Sequence, residues 1–186
     1  MITKRTESGF TLIELLITIV VIAVLVALAA PSFTTTILNQ RSDGLSEDLA
    51  SALQLAKTEA VKRGSRVSLC AANEGGDDCG NDWTDGWLVF VDSASTDESA
   101  TAVLGSADDI IRSFDAPHEK SNITATKGGA ISFVRYTNTG QLARIGGVSP
   151  AAFDVYVTGC KGERRRTINV GVAGMMDIQR SECPEA

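Results

Sequence analysis

The chain holds a single histidine, His118, which lies beside Pro117 in a polar stretch with no cysteine or serine context for a nucleophile. None of its four cysteines falls in a Cys-x-x-Cys pair, which removes the commonest spacing of a zinc site. Prolines are few, and there is no internal repeat and no long low-complexity stretch, so one globular domain beyond the N-terminal segment is expected. No nucleotide-binding loop and no catalytic constellation is present, which points away from an enzyme. Basic residues are in the minority: 17 lysines and arginines face 23 acids for a net charge of −6, which argues against whole-domain attraction to nucleic acid.

What the sequence does have is a long apolar segment near its start. Met1 to Ser8 is polar and carries Lys4 and Arg5; Gly9 follows, and then Phe10 to Ala30 runs almost unbroken with only Thr11, Glu14 and Thr18 polar. As a helix that run is about 30 Å long, one bilayer core. The next cation after Arg5 is Arg41, so the charge bias keeps the leader cytoplasmic and places the remainder outside. An acid in a spanning helix costs up to about 3 kcal/mol at mid-bilayer, less near the end. Glu14 therefore needs either a partner or a snorkelling path to the interface.

Pro31 closes the run and is expected to bend the helix by removing one backbone donor. Beyond it Leu45, Leu49, Leu53, Ala56 and Ala60 recur at four- and three-residue intervals, with Leu38, Ala52 and Val61 close to the same stripe. Gly64 offers a C-terminal cap and Asp43-Gly44 is the weakest interior point. The spacing predicts one long helix whose second half is amphipathic.

Short β-branched or aromatic runs follow at Arg66–Ala71, Trp87–Val91, Ile110–Phe114, Ile131–Tyr136, Phe153–Thr158 and Arg166–Val172, with Met176–Gln179 as a further candidate. Turn formers such as Thr137-Asn138-Thr139-Gly140 and Gly146-Gly147 separate them. The reading is α+β, with antiparallel sheet wrapped on the helix. Trp87 and Phe90 fall on opposite faces of one strand, one expected on the helix and the other free for a contact. Four cysteines in an exported domain point to two disulfides, and of three connectivities the sequence-local one, Cys70 with Cys79 and Cys160 with Cys183, is simplest.

Two clusters are candidates for binding. Lys161, Arg164, Arg165 and Arg166, with Arg180 brought near by a Cys160–Cys183 bridge, could hold DNA phosphates or meet a partner, although a strand period splits alternating arginines between faces. Asp77, Asp78, Asp82 and Asp85 crowd a Gly-rich loop around Cys79 and could ligate calcium, but EF-hand spacing is absent and solvated loop acids are commoner, so no metal and no cofactor is expected.

Gly9-Phe10-Thr11-Leu12-Ile13-Glu14 resembles the type IV pilin signal, Gly-Phe-Thr-Leu-x-Glu. Three further blocks look like the GspH/FimT branch of pseudopilins and minor pilins: Ala56-Lys57-Thr58-Glu59-Ala60-Val61-Lys62-Arg63, Val67-Ser68-Leu69-Cys70, and Asp85-Gly86-Trp87-Leu88-Val89-Phe90-Val91-Asp92. The resemblance implies a type IV pilin fold: a long N-terminal helix, transmembrane in its first half, packed against an antiparallel β-sheet domain. It divides the chain into a prepilin leader (1–9), a transmembrane and filament-core helix (10–30), an amphipathic helix half (31–64) and a β-rich globular domain (65–186). It further implies cleavage by prepilin peptidase between Gly9 and Phe10, N-methylation of Phe10, and pairing of Glu14 with the Phe10 amine of a neighbouring subunit to set helix register.

The implied place is the bacterial inner membrane, single-pass, with the globular domain in the periplasm and the subunit later in the pilus near its tip. The implied partners are other minor pilins and the major pilin, or the equivalent subunits of a type II secretion system. DNA-binding members of the branch carry Gly-Arg-x-Arg near the last cysteine; here the corresponding residues are Gly174-Met175-Met176-Asp177, without either arginine, so DNA is not the favoured partner.

Overall fold

The computed structural model describes residues 10–147 and 150–185, with the side chains of residues 28–32 left aside. Gly9, Lys4 and Arg5 lie outside the described residues. One helix, α1 (Leu12–Arg63), precedes eight strands: β1 (Val67–Ala71), β2 (Trp87–Val91), β3 (Ile110–Phe114), β4 (Ser121–Thr126), β5 (Phe133–Tyr136), β6 (Ala151–Val157), β7 (Arg165–Val170) and β8 (Met176–Ser181). Two compact units part between Ile37 and Leu38, so α1 contributes to both.

In the first unit the described residues from Leu12 onward are helix. Thr11 caps it, its hydroxyl accepting from Glu14 N at 3.3 Å while Leu15 N bonds Thr11 O at 3.1 Å. Helical assignment runs through Pro31, so the proline does not end the helix; its side chain is outside the described ones. From Phe10, 81% exposed, to Val26 every large apolar side chain is exposed, on all sides of the helix. Among the described residues no helix is long and apolar enough to cross a membrane; the fully described apolar stretch, Leu12 to Ala27, falls short of the roughly 20 residues a bilayer requires.

The second unit is built on the amphipathic half of α1. Leu45, Leu49, Ala52, Leu53, Ala56 and Ala60 are all buried at helical spacing. Val61, expected near the same stripe, is instead 53% exposed, because one residue beyond Ala60 rotates it about 100° off the buried face. The helix ends in a Schellman motif, with Ser65 N bonding Ala60 O, Gly64 N bonding Val61 O, and Gly64 at φ +61°.

Two four-stranded antiparallel sheets, ordered β3-β2-β1-β5 and β4-β6-β7-β8, share the core with that helix. In β6 the alternation is complete: Ala151, Phe153, Val155 and Val157 point inward. β1 and β2 are buried on both faces. Val67, Leu69, Ala71, Trp87 and Val89 join the main core, while Cys70, Leu88 and Phe90 form a second cluster with Ala72. Phe90 is thus fully buried and not available to a partner, a correction to the expected free contact. The covering segment is pinned by the Cys70–Cys79 disulfide (Cα–Cα 5.7 Å); the other disulfide joins Cys160 to Cys183 (Cα–Cα 5.8 Å). β4 was not expected from sequence, since Ser121-Asn122-Ile123-Thr124-Ala125-Thr126 has one large apolar residue.

Candidate functional site

Glu14 is held at the mouth of α1 by its own first turn. The Thr11 hydroxyl accepts from its amide and also lies 3.5 Å from Glu14 Oε2, giving Thr-x-x-Glu the local role of a helix cap. The sequence reading assigned Glu14 to a neighbouring subunit and missed this cap, although Ser/Thr-x-x-Glu is its ordinary signature. Thr18 is satisfied by Leu15 O at 2.7 Å, so neither threonine brings an open hydroxyl to the apolar surface.

The arginine cluster is brought together, but most of it is already paired. On β7, Arg165 faces outward and grips Asp154 with two bonds, Nε to Oδ1 at 2.7 Å and Nη2 to Oδ2 at 2.6 Å. Arg166 faces inward, nearly buried, with Nη2 donating to Asp43 Oδ1 at 2.7 Å and Nη1 to Glu163 O at 2.7 Å. Arg164 pairs with the other oxygen of Asp43. Lys161 is exposed, its amide bonded to Asn39 Oδ1 at 2.8 Å. Among the described residues Arg180 has no ion pair.

The strand period therefore splits the cluster as expected, and two internal carboxylates, Asp43 and Asp154, pair with three of its arginines. That leaves little charge for a phosphate backbone. Asp43, Ser46, Glu47 and Ala50 on α1 face Arg164, Arg166, Ile178 and Arg180 across a groove of about 510 Å³.

In the acidic loop Asn73, Asp78 and Asp82 cap turns. Asn73 Oδ1 accepts from the amides of Asp77 and Asp78, Asp78 Oδ1 accepts from Cys79 N, and Asp82 Oδ1 accepts from Thr84 N and Oγ1. The backbone bond from Thr84, then its hydroxyl, holds the Asp82 carboxyl below its ordinary value. Among the described residues no group of acids, cysteines and histidine is placed to hold a metal. His118 Nδ1 accepts from Lys120 N at 3.2 Å, a loop role.

A buried polar network was not read from sequence at all. Asp92 Oδ2 takes bonds from Ser68 Oγ (2.5 Å) and Arg135 Nε (2.7 Å), and Oδ1 takes the amides of Ala94 and Val103. Arg135 then donates to the carbonyls of Asp97, Ser99 and Thr101. One ion pair thus fastens the whole excursion between β2 and β3. The one signal in the sequence is an arginine, Arg135, within a predicted strand; it lies on the face opposite Val134 and Tyr136.

Comparison with known proteins agrees with this architecture. The family of the type II transport protein GspH matches residues 45–174, and the prokaryotic N-terminal methylation motif matches residues 4–30. The type IV major fimbrial protein FimA of Dichelobacter nodosus is 28% identical over 125 residues, 67% of this chain and 74% of that protein. A crystal structure of the type IV minor pilin FimU from Pseudomonas aeruginosa superposes with a TM-score of 0.53 at 19% identity, covering 77% of this chain and 89% of FimU. A second crystal form of FimU gives 0.50 at 21% identity, over 72% and 88%. These likenesses to FimU show a shared fold.

Proposed function

Because the chain belongs to the GspH family of minor type IV pilins and pseudopilins, whose members are structural subunits and not enzymes, we propose that it is a minor subunit that helps start a type IV pilus. In this reading prepilin peptidase removes residues 1–9, Phe10 is N-methylated, and Phe10–Ala30 anchors the subunit in the inner membrane with the β-rich unit in the periplasm. The observation that carries it is the first unit of α1: large apolar side chains exposed on every side, headed by one acid in the first turn. A helix apolar all round needs a lipid or helical environment. Neighbouring helices supply that when the subunit leaves the bilayer, and the Phe10 amine of a neighbour gives Glu14 its counter-charge.

A minor pseudopilin of a type II secretion system is the second reading, favoured by the description of the matched family itself. It shares the anchor, the processing and the fold and differs in partners. A DNA-uptake role is weaker, since internal acids occupy Arg164, Arg165 and Arg166.

The test is a deletion strain, its complement, and a complement carrying Glu14→Ala. Loss of surface pili and twitching, restored by the wild-type chain, supports the pilus reading; unchanged pili with impaired protein secretion supports the pseudopilin. Glu14→Ala is expected to insert in the membrane and fail to join the filament. Normal incorporation of that variant removes the register role of Glu14.

A further inference from the structure

The groove between α1 and β8 ends at a sheet edge that no strand among the described residues pairs with. β8 is the last strand of its sheet, in unbroken register with β7 from Met176↔Val170 to Ser181↔Arg165. Gly171 N bonds Met175 O in the connecting turn, which makes the odd residues of β8 the hydrogen-bonded partners of β7. The N–H and C=O groups of Met176, Ile178 and Arg180 therefore point to the open edge, and no other backbone or side-chain bond among the described residues uses them. Edge strands are ordinarily blunted by proline, lysine, a bulge or a covering segment. β8 has no proline, lysine or bulge; its one guard is charge, Asp177 and the groove-facing Arg180, and a carboxylate on Arg180 would lift it. The side chains of Ile178 (48% exposed) and Arg180 look over the groove toward α1.

Its charges are also out of balance. Arg180 stands directly opposite Arg166, a like-charged pair that destabilises a sheet unless neutralised. The nearby Asp43 is already shared by Arg164 and Arg166. Three guanidiniums against Asp43 and Glu47 leave one positive charge unmatched in the groove. A local rule broken at an open edge marks a place completed by something else.

We propose that the β8 edge is a strand-acceptor site: an extended segment of another polypeptide adds to the sheet beside Met176–Ser181, lays apolar side chains over Ile178 and Ala50, and places a carboxylate on Arg180. Backbone bonds supply affinity and the carboxylate fixes register. The site takes its source of partners, neighbouring subunits, from the function proposed above.

The test uses the full chain in detergent and two fluorescent octapeptides, one alternating valine with glutamate and one alternating valine with lysine. The glutamate peptide is expected to bind, at least about tenfold more tightly than the lysine peptide, with the order reversed by Arg180→Glu. Ile178→Pro removes an outward N–H and leaves the β7 ladder whole, so it is expected to abolish binding while the melting temperature moves by no more than about 2 °C. Ile178→Thr, which keeps the N–H, is expected to retain it. Amide exchange on the wild-type chain gives a readout that needs no variant: the amides of Met176, Ile178 and Arg180 exchange fast alone and slow on adding peptide, while those of Asp177 and Gln179 are protected throughout.

Absence of binding up to about 1 mM peptide, a weakness beyond what a docking strand supplies, overturns the proposal, as does binding indifferent to Ile178→Pro. Protection of the even amides that grows with the concentration of the chain alone would also overturn it, by assigning the edge to a second copy. A chain that joins filaments normally with Ile178→Pro in place sinks this proposal and leaves the subunit role standing; a chain that never enters filaments sinks the subunit role first.

Discussion

Arg135 Nε lies 2.7 Å from Asp92 Oδ2, and neither side chain exposes any surface to solvent. The pair spans β5 and the end of β2, and its remaining bonds reach Ser68, Ala94, Asp97, Ser99, Thr101 and Val103. Removing one partner leaves the other charge buried alone and the excursion after β2 untethered. Arg135→Met is expected to lower the unfolding free energy by about 3–5 kcal/mol, and Arg135→Lys to recover little, since an ammonium cannot reach a carboxylate and three carbonyls at once. Urea unfolding of the full chain measures this; a loss under about 1 kcal/mol would mean that the pair is not holding the excursion.

The same network gives the chain an acid limit. Burial alone would raise the Asp92 carboxyl, but bonds from Ser68, Arg135, Ala94 and Val103 more than offset it and hold the group below its ordinary 3.8. A carboxyl depressed in the folded state stabilises fully above its unfolded value, and that contribution is lost as pH falls through the lower, folded one. Stability is therefore expected to drop below about pH 4, with Asp92→Asn flattening the drop in a series of thermal melts.

The opposite sign holds at alkaline pH. Lys127 is buried against Ala143 O, and burial, then the charge of Arg135, brings its ammonium from 10.5 down to about 8. The unfolded chain binds this proton more tightly, so folding carries a penalty below pH 8 that is relieved as pH rises. Melting temperature is expected to climb between about pH 8 and 10, and Lys127→Met is expected to remove the climb. A climb that survives in the variant would assign it to another group.

Most of the architecture was legible because hydrophobic period is a local signal. The stripe Leu45, Leu49, Leu53, Ala56, Ala60 is buried as a set, and β2 and β3 begin and end where their β-branched runs do. β4 was illegible because its inward residues are Ser121, Ile123 and Ala125, which bury well only in the company of Val157, Val155 and Phe153 on β6. The binding candidates failed differently. The run Arg164-Arg165-Arg166 reads as a charge patch, yet its meaning rests on Asp43, more than a hundred residues earlier, and Asp154 on the neighbouring strand β6. Charge is visible in a sequence and its neutralisation is not. The Asp92–Arg135 pair was hidden for the same reason, its members being 43 residues apart.

The Cys70–Cys79 bridge closes a short loop over the small cluster of Leu88, Phe90 and Ala72, on the face of β1 turned away from α1. Changing both cysteines to serine is expected to destabilise by about 2–4 kcal/mol and to raise amide exchange in residues 72–82 first. Exchange that rises equally in the main core would show that the two clusters unfold together.

Asp43 gives the sharpest test of whether the arginine cluster is a nucleic-acid site. It accepts from both Arg164 and Arg166, while Asp154 occupies Arg165, so at about 150 mM salt the wild-type chain is expected to show no measurable affinity for duplex DNA. Asp43→Ala releases two guanidiniums beside Arg180, which has no ion pair among the described residues, and leaves three cations in the groove against Glu47 alone. Weak, salt-sensitive DNA binding is then expected to appear, with log K falling against log salt with a slope of about −2 to −3, one counterion for each arginine engaged. Wild-type binding already at that strength, and unchanged in Asp43→Ala, would mean that the internal pairs do not mask the cluster; DNA uptake would then outrank both structural readings.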